Sequence, residues 1–138
     1  MDQGTLKDLH ILVIDDESFM RELVRRMLRE MGIGIVSGAK NGLEGLDFLK
    51  RAVNPVDIIM LDLEMPVLNG YNFIMKIKNE FGPPLSDTPI VVVSGHGEED
   101  AVRAIQALGV NWFLLKPVSK TDLESRIKSV LKSKTEKT

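Results

Sequence analysis

The sequence predicts an α/β fold: a doubly wound, five-stranded parallel sheet with five helices, packed in three layers. Two observations carry this expectation. Five short apolar runs rich in Val and Ile recur along the chain, mostly without polar alternation, as strands buried on both faces do. Between them lie segments whose apolar residues recur every three or four positions, the spacing of helices that bury one face. Strand and helix thus alternate five times, which calls for right-handed crossovers and one parallel sheet covered on both sides.

The first strand is expected at Leu9 to Ile14, "LHILVI". A helix follows, marked by the stripe Met20, Leu23, Val24, Met27, Leu28 and Met31, with Ser18 as its expected N-cap and Gly32 as its stop. The second strand is read at Ile33 to Val36, and a helical pattern runs from about Gly42 to Arg51. The third strand is Val56 to Leu61, followed by a helix over Tyr71 to Phe81. "PIVVV", Pro89 to Val93, is the fourth strand, with a helix over Glu99 to Leu108. "WFLL", Trp112 to Leu115, is the fifth, and the last helix runs from Lys120 to Lys132, opened by Ser119 and Asp122 at capping-box spacing. His10 and Asp57, inside strand segments, read as structural, and the methionines of the first helix as core filler.

With 138 residues and 43% hydrophobic content, the chain can fill one core without disulfide or metal staples. A single domain is expected, with a core over about 8–132 and a frayed polar tail at 133–138. A net charge of −2 gives no general attraction to nucleic acid or to acidic membranes. The absence of cysteine removes disulfides, thiol nucleophiles and Cys-based metal sites. No apolar run approaches the length of a membrane helix and no export signal opens the chain, so a cytoplasmic location is the default.

Parallel sheets of this kind bind ligands beyond the carboxyl ends of their strands. Those ends carry Asp15 and Asp16 after the first strand, Asp62 after the third, Ser94 after the fourth and Lys116 after the fifth. Taken singly, each has a plain explanation: a solvated turn, a strand-end aspartate, a loop serine, a surface lysine. Taken together they form one site at one edge of the sheet. Two carboxylates about 4 Å apart repel by roughly 4 kcal/mol at an effective dielectric near 20, so the acidic cluster needs an offset. A hard divalent cation such as Mg²⁺, held by oxygen ligands, supplies it, since three aspartates, one lysine and the ion sum to zero. Lysine and a hydroxyl beside them suit a phosphoryl group.

The segments "ILVIDDESFMRELVRRMLREMG", "NGLEGLDFL", "VDIIMLDLEMPVLNG", "PIVVVSG" and "FLLKP" together resemble the receiver domains of two-component response regulators, most of all the single-domain, chemotaxis-type members. That resemblance covers nearly the whole chain. It implies a flavodoxin-like sandwich in which Asp62 accepts a phosphoryl group from a phosphohistidine on a sensor histidine kinase or phosphotransfer protein. It further implies that Asp15, Asp16, Asp62 and the backbone carbonyl of Glu64 hold Mg²⁺, that Ser94 bonds the attached phosphoryl group, and that Lys116 pairs with its oxygens. The Lys116–Pro117 bond is similar to one that is cis in that family. Such a domain is a signalling phosphoacceptor that assists its own phosphorylation and dephosphorylation, not an enzyme with a separate substrate. Its output is expected through a protein partner.

Phe113 falls where the family carries a switch aromatic, though it reads equally well as a core strand residue. Glu64 and His96, each two residues beyond a site residue, fall at positions that vary in that family and there tune the phosphoryl lifetime, with an exposed loop imidazole as the alternative for His96. Gly95 stands where alanine is commoner. Trp112 is either partly buried under the last helix or an anchor on the face of the fourth helix, fifth strand and fifth helix, where family members meet partners or form homodimers. Haloacid-dehalogenase-like phosphohydrolases use a comparable residue set, but their nucleophile precedes the paired acids, whereas here Asp15 and Asp16 precede Asp62.

Overall fold

The computed structural model describes residues 6–65 and 68–136. Its strands are β1 His10–Ile14, β2 Ile35–Ala39, β3 Ile58–Asp62, β4 Ile90–Ser94 and β5 Trp112–Leu115. The helices between and after them are α1 Ser18–Met31, α2 Gly42–Arg51, α3 Gly70–Glu80, α4 Glu99–Gln106 and α5 Lys120–Glu136, with a short 3₁₀ turn at Leu85–Asp87. All strand pairs are parallel, in the order β2-β1-β3-β4-β5. The order reverses at β1, which has β2 on one side and β3 on the other.

The sheet separates two apolar layers. On one side, Val24, Leu28 and Met31 of α1 and Leu123, Ile127 and Val130 of α5 pack against Ile11, Val13 and Met60. On the other, Leu46 and Leu49 of α2, Phe73, Ile74 and Ile77 of α3 and Ile105 of α4 pack against Leu12, Ile14, Ile59 and Leu61. Strands β1, β3 and β4 are buried at every position. Each fully buried Leu or Ile contributes about 1.5–3 kcal/mol, so these continuous apolar runs fix the register of the sheet.

Several boundaries differ from the sequence expectation. β2 begins at Ile35, not Ile33, and extends through polar Ser37 to Ala39. It is an edge strand, half exposed, so it carries too little apolar density to show its true span. Ile33 is instead a core residue of the turn, its N–H bonded to the Leu28 carbonyl at 3.2 Å. Ser18 is the first residue of α1 rather than its cap; Glu17 occupies that place without a side-chain bond to the helix. The start is held instead by the Asp15 carboxylate, which accepts from the Glu17 N–H at 2.9 Å, and by Arg21, which donates to the Asp15 carbonyl at 2.8 Å. Gly32 closes the helix as expected, at φ 102°, where the absence of a Cβ matters. Ser119 Oγ accepts from the Asp122 N–H at 3.1 Å, one half of the expected capping box.

The expected frayed tail is partly helical, since α5 runs on to Glu136; residues 137–138 lie outside the described residues, as do Pro66 and Val67 of the quoted "VDIIMLDLEMPVLNG" segment. His10 is structural as read: it is buried, its Nδ1 lies 2.9 Å from the Asn54 carbonyl and its Nε2 2.8 Å from Ser37 Oγ. Asp57 lies just before β3, its Oδ2 accepting from the His10 N–H at 2.8 Å.

Candidate functional site

Parallel register brings the predicted residues to one edge. Asp15 and Asp16 follow β1, Asp62 ends β3, Ser94 ends β4 and Lys116 follows β5. Asp62 pairs with Val93 in the β3–β4 ladder, and Ser94 with Leu115 in the β4–β5 ladder, so the three strands end side by side. The Lys116–Pro117 peptide is cis, as the resemblance implies.

Asp15, Asp62 and Ser94 are buried, Asp16 is exposed, and Lys116 is partly exposed. Asp15, Asp16 and Asp62 each offer one carboxylate oxygen, and these three oxygens lie within 4.8 Å of one another. Lys116 Nζ stands 2.7 Å from the buried Asp62 Oδ1 and forms an ion pair with it.

Burial pushes the Asp62 carboxyl up to about 6, and the charges of Asp15 and Asp16 add to the rise while Lys116 opposes it. The Asp15 carboxyl is also raised, chiefly by burial, against the Glu17 N–H bond and the Lys116 charge. Burial works to lower the Lys116 pKa, but the pairing with Asp62 and the charges of Asp15 and Glu98 hold it above the ordinary lysine value. Three carboxylates whose oxygens converge are a donor set that a hard divalent cation such as Mg²⁺ would fit.

Beside the cluster opens a cleft of about 710 Å³ lined by Asp16, Glu64, Met65, Tyr71, Glu98 and Ala101. Glu64 and His96 are both exposed next to the site. Phe113 is half-buried and packs into the layer that holds α2, α3 and α4, while its carbonyl accepts from Arg126 Nε at 2.9 Å. Trp112 packs against the other layer beside α5, at the opposite end of β5 from Lys116, which matches its reading as partly buried. Two participants were not marked by the sequence pattern. Arg21 binds the Asp15 backbone, and Glu98 accepts a hydrogen bond from the Gly95 N–H. Arg21 reads as one more polar position on a helix, and Glu98 as one acid in the run "EED".

The chain matches the response regulator receiver domain family over residues 11–128. It is 30% identical over 123 residues to the chemotaxis protein CheY homolog of Campylobacter jejuni subsp. jejuni, an overlap of 89% of this chain and 92% of that protein. It is 36% identical over 123 residues to the probable transcriptional regulator ycf27 of Porphyridium aerugineum, over 88% of this chain but 48% of that protein, so it spans about half of that relative. The crystal structure of a response regulator receiver domain protein from Clostridium thermocellum superposes with a TM-score of 0.82 at 29% identity, covering 94% of this chain and 99% of that one. With its strand order, its acidic strand ends and its match over residues 11–128, this chain belongs to the response regulator receiver domains.

Proposed function

We propose that this receiver takes a phosphoryl group onto Asp62 from a phosphohistidine of a sensor kinase or phosphotransfer protein, with Mg²⁺ in the acidic cluster, and acts through a protein partner in the cytoplasm. The observation that supports this most is the Asp62 carboxylate: buried at the end of the central strand β3, with Lys116 2.7 Å away and two further acids beside it.

In the transfer, an Asp62 oxygen attacks phosphorus, the phosphorus–nitrogen bond of the donor breaks, and the imidazole nitrogen keeps the electron pair and takes a proton from solvent. Asp62 is held at the end of β3 by the β3–β4 ladder, so little conformational freedom is lost at the moment of reaction. Lys116 pairs with Asp62 beforehand and then with the oxygens of the transferred group. Ser94, next in the site, offers a hydroxyl donor to one of them. When bound by Asp15, Asp16, Asp62 and the Glu64 carbonyl, Mg²⁺ supplies positive charge against the acids and the developing phosphoryl charge. Catalysis of this kind consists of positioning and electrostatics, which is what the strand ends provide.

The modified Asp62 carries added charge and acceptor oxygens that bias the Ser94 loop and Phe113, and with them the face of α4, β5 and α5 where a partner or second copy would dock. Glu64 and His96 would set how long the modification lasts. Incubation with acetyl phosphate, followed by intact mass, tests the proposal. A gain of one phosphoryl group in Mg²⁺ and none in chelator is expected. An equal gain in chelator would overturn the role of the metal, and no gain in either would overturn the phosphoacceptor reading.

A further inference from the structure

The loop between β4 and α4 contains a contact with no part in the transfer chemistry. The Ser94 carbonyl accepts from the Lys116 N–H at 2.8 Å, on the β5 side of β4. In a trans peptide the next N–H points the opposite way, so the Gly95 N–H faces the β3 side, where β3 has just ended at Asp62. No strand carbonyl receives it. Its acceptor is Glu98 Oε1.

Glu98 is half-buried while His96, Gly97 and Glu99 around it are exposed. Although it stands at the cap position of α4, its side chain makes no bond to the helix and turns back to Gly95 instead. Its charge is also among those that keep Lys116 protonated. The carboxylate thus holds the Gly95 amide directly and acts through its charge on Lys116, the ion-pair partner of Asp62.

We propose that Glu98 is an internal stand-in for the phosphoryl group, holding the Gly95 amide while Asp62 is unmodified and surrendering it when a phosphoryl group arrives. The inference rests on the phosphoacceptor reading above. A phosphoryl group brings about −1.5 to −2 charge and strong acceptor oxygens, so it both competes for the Gly95 N–H and repels the carboxylate. Glu98 is thus a positioning residue that favours the resting loop. Gly97, at φ 90°, lies between the two partners and gives the backbone room to re-form the turn once they part. The Glu98 carbonyl accepts from the Val102 N–H at 3.0 Å, so its departure is transmitted to the first turn of α4.

The test compares beryllofluoride binding in Mg²⁺ for the wild type, Glu98→Ala and Glu98→Gln, with the Gly95 amide followed by NMR. Loss of a competing charged acceptor should tighten beryllofluoride binding about tenfold in Glu98→Ala, with Glu98→Gln in between. The Gly95 amide should shift in metal-free Glu98→Ala, and in the wild type on beryllofluoride addition. A variant damaged in folding would lose affinity, so a gain separates this role from a structural one. Equal or weaker affinity in Glu98→Ala, or an unmoved Gly95 amide, would overturn the role of Glu98 alone. Absence of binding in all three proteins would overturn the phosphoacceptor reading and this inference with it.

Discussion

Asp62 is a carboxylic acid placed where its charge is costly: buried, beside Asp15 and Asp16, and eased only by Lys116. Because its native pKa is about 6 against 3.8 when unperturbed, the native state binds more protons than the unfolded chain between those values. Stability contributed by this group therefore falls as pH rises from about 4 to 6 and is flat above. The raised pKa of Asp15 acts in the same direction. Urea titrations at pH 4.5 and 7 should show this slope in the metal-free wild type and a reduced slope in Asp62→Asn; equal slopes would contradict it. Mg²⁺ bound as proposed would displace the same proton, so its affinity should weaken as pH falls below about 6, as calorimetry would read.

Asp16 repels both other acids from an exposed position. Asp16→Asn should thus raise metal-free stability by up to about 1 kcal/mol, a few degrees in Tm, while removing stabilisation by Mg²⁺. A variant that melts lower in chelator would show the aspartate to be structural. These residues were legible in the sequence because strand-end acids have few other reasons to gather. Glu98 was not, because only the direction of the Gly95 N–H, a three-dimensional fact, gives that side chain its meaning.

At the scale of elements, legibility followed burial. α2, Gly42–Arg51, has the bounds its apolar spacing predicts, and Asn41 caps it by accepting from the Glu44 N–H at 2.8 Å. Glu44 in turn accepts from the Lys40 N–H at 2.9 Å, so two donors at the helix start are satisfied reciprocally. Asn41→Ala should cost about 1 kcal/mol, measurable by denaturant unfolding, and no change would contradict the cap. β2 starts two residues and ends three residues later than expected because an edge strand buries only part of itself, and α1 begins at Ser18, its expected cap, because Asp15 organises that turn. The sharpest constraint near β2 lies in Gly34, where a Cβ would come within 1.9 Å of the Lys7 carbonyl oxygen. Backbone cannot yield as a side chain does, so Gly34→Ala should cost more than 2 kcal/mol, on the order of other overpacked core sites. A melting temperature within a degree of the wild type would refute this.

Across the whole molecule, two apolar layers hold five strands in one parallel sheet, and the order β2-β1-β3-β4-β5 places the reversal at β1, beside β3. That reversal opens the crevice in which Asp15, Asp16 and Asp62 meet. The alternation of apolar runs and helical stripes foretold the parallel sheet but not its strand order, because local pattern does not say which strand lies beside which. The same core that holds the strands in register brings the acids together, so the cation binding proposed for them and the cost of gathering them without an ion have a common origin. Whether Asp62 is where this arrangement delivers a phosphoryl group is read most directly by the intact mass of wild type and Asp62→Asn after acetyl phosphate in Mg²⁺. The wild type should gain one phosphoryl group and Asp62→Asn none; a gain retained in Asp62→Asn would reject Asp62 as the acceptor.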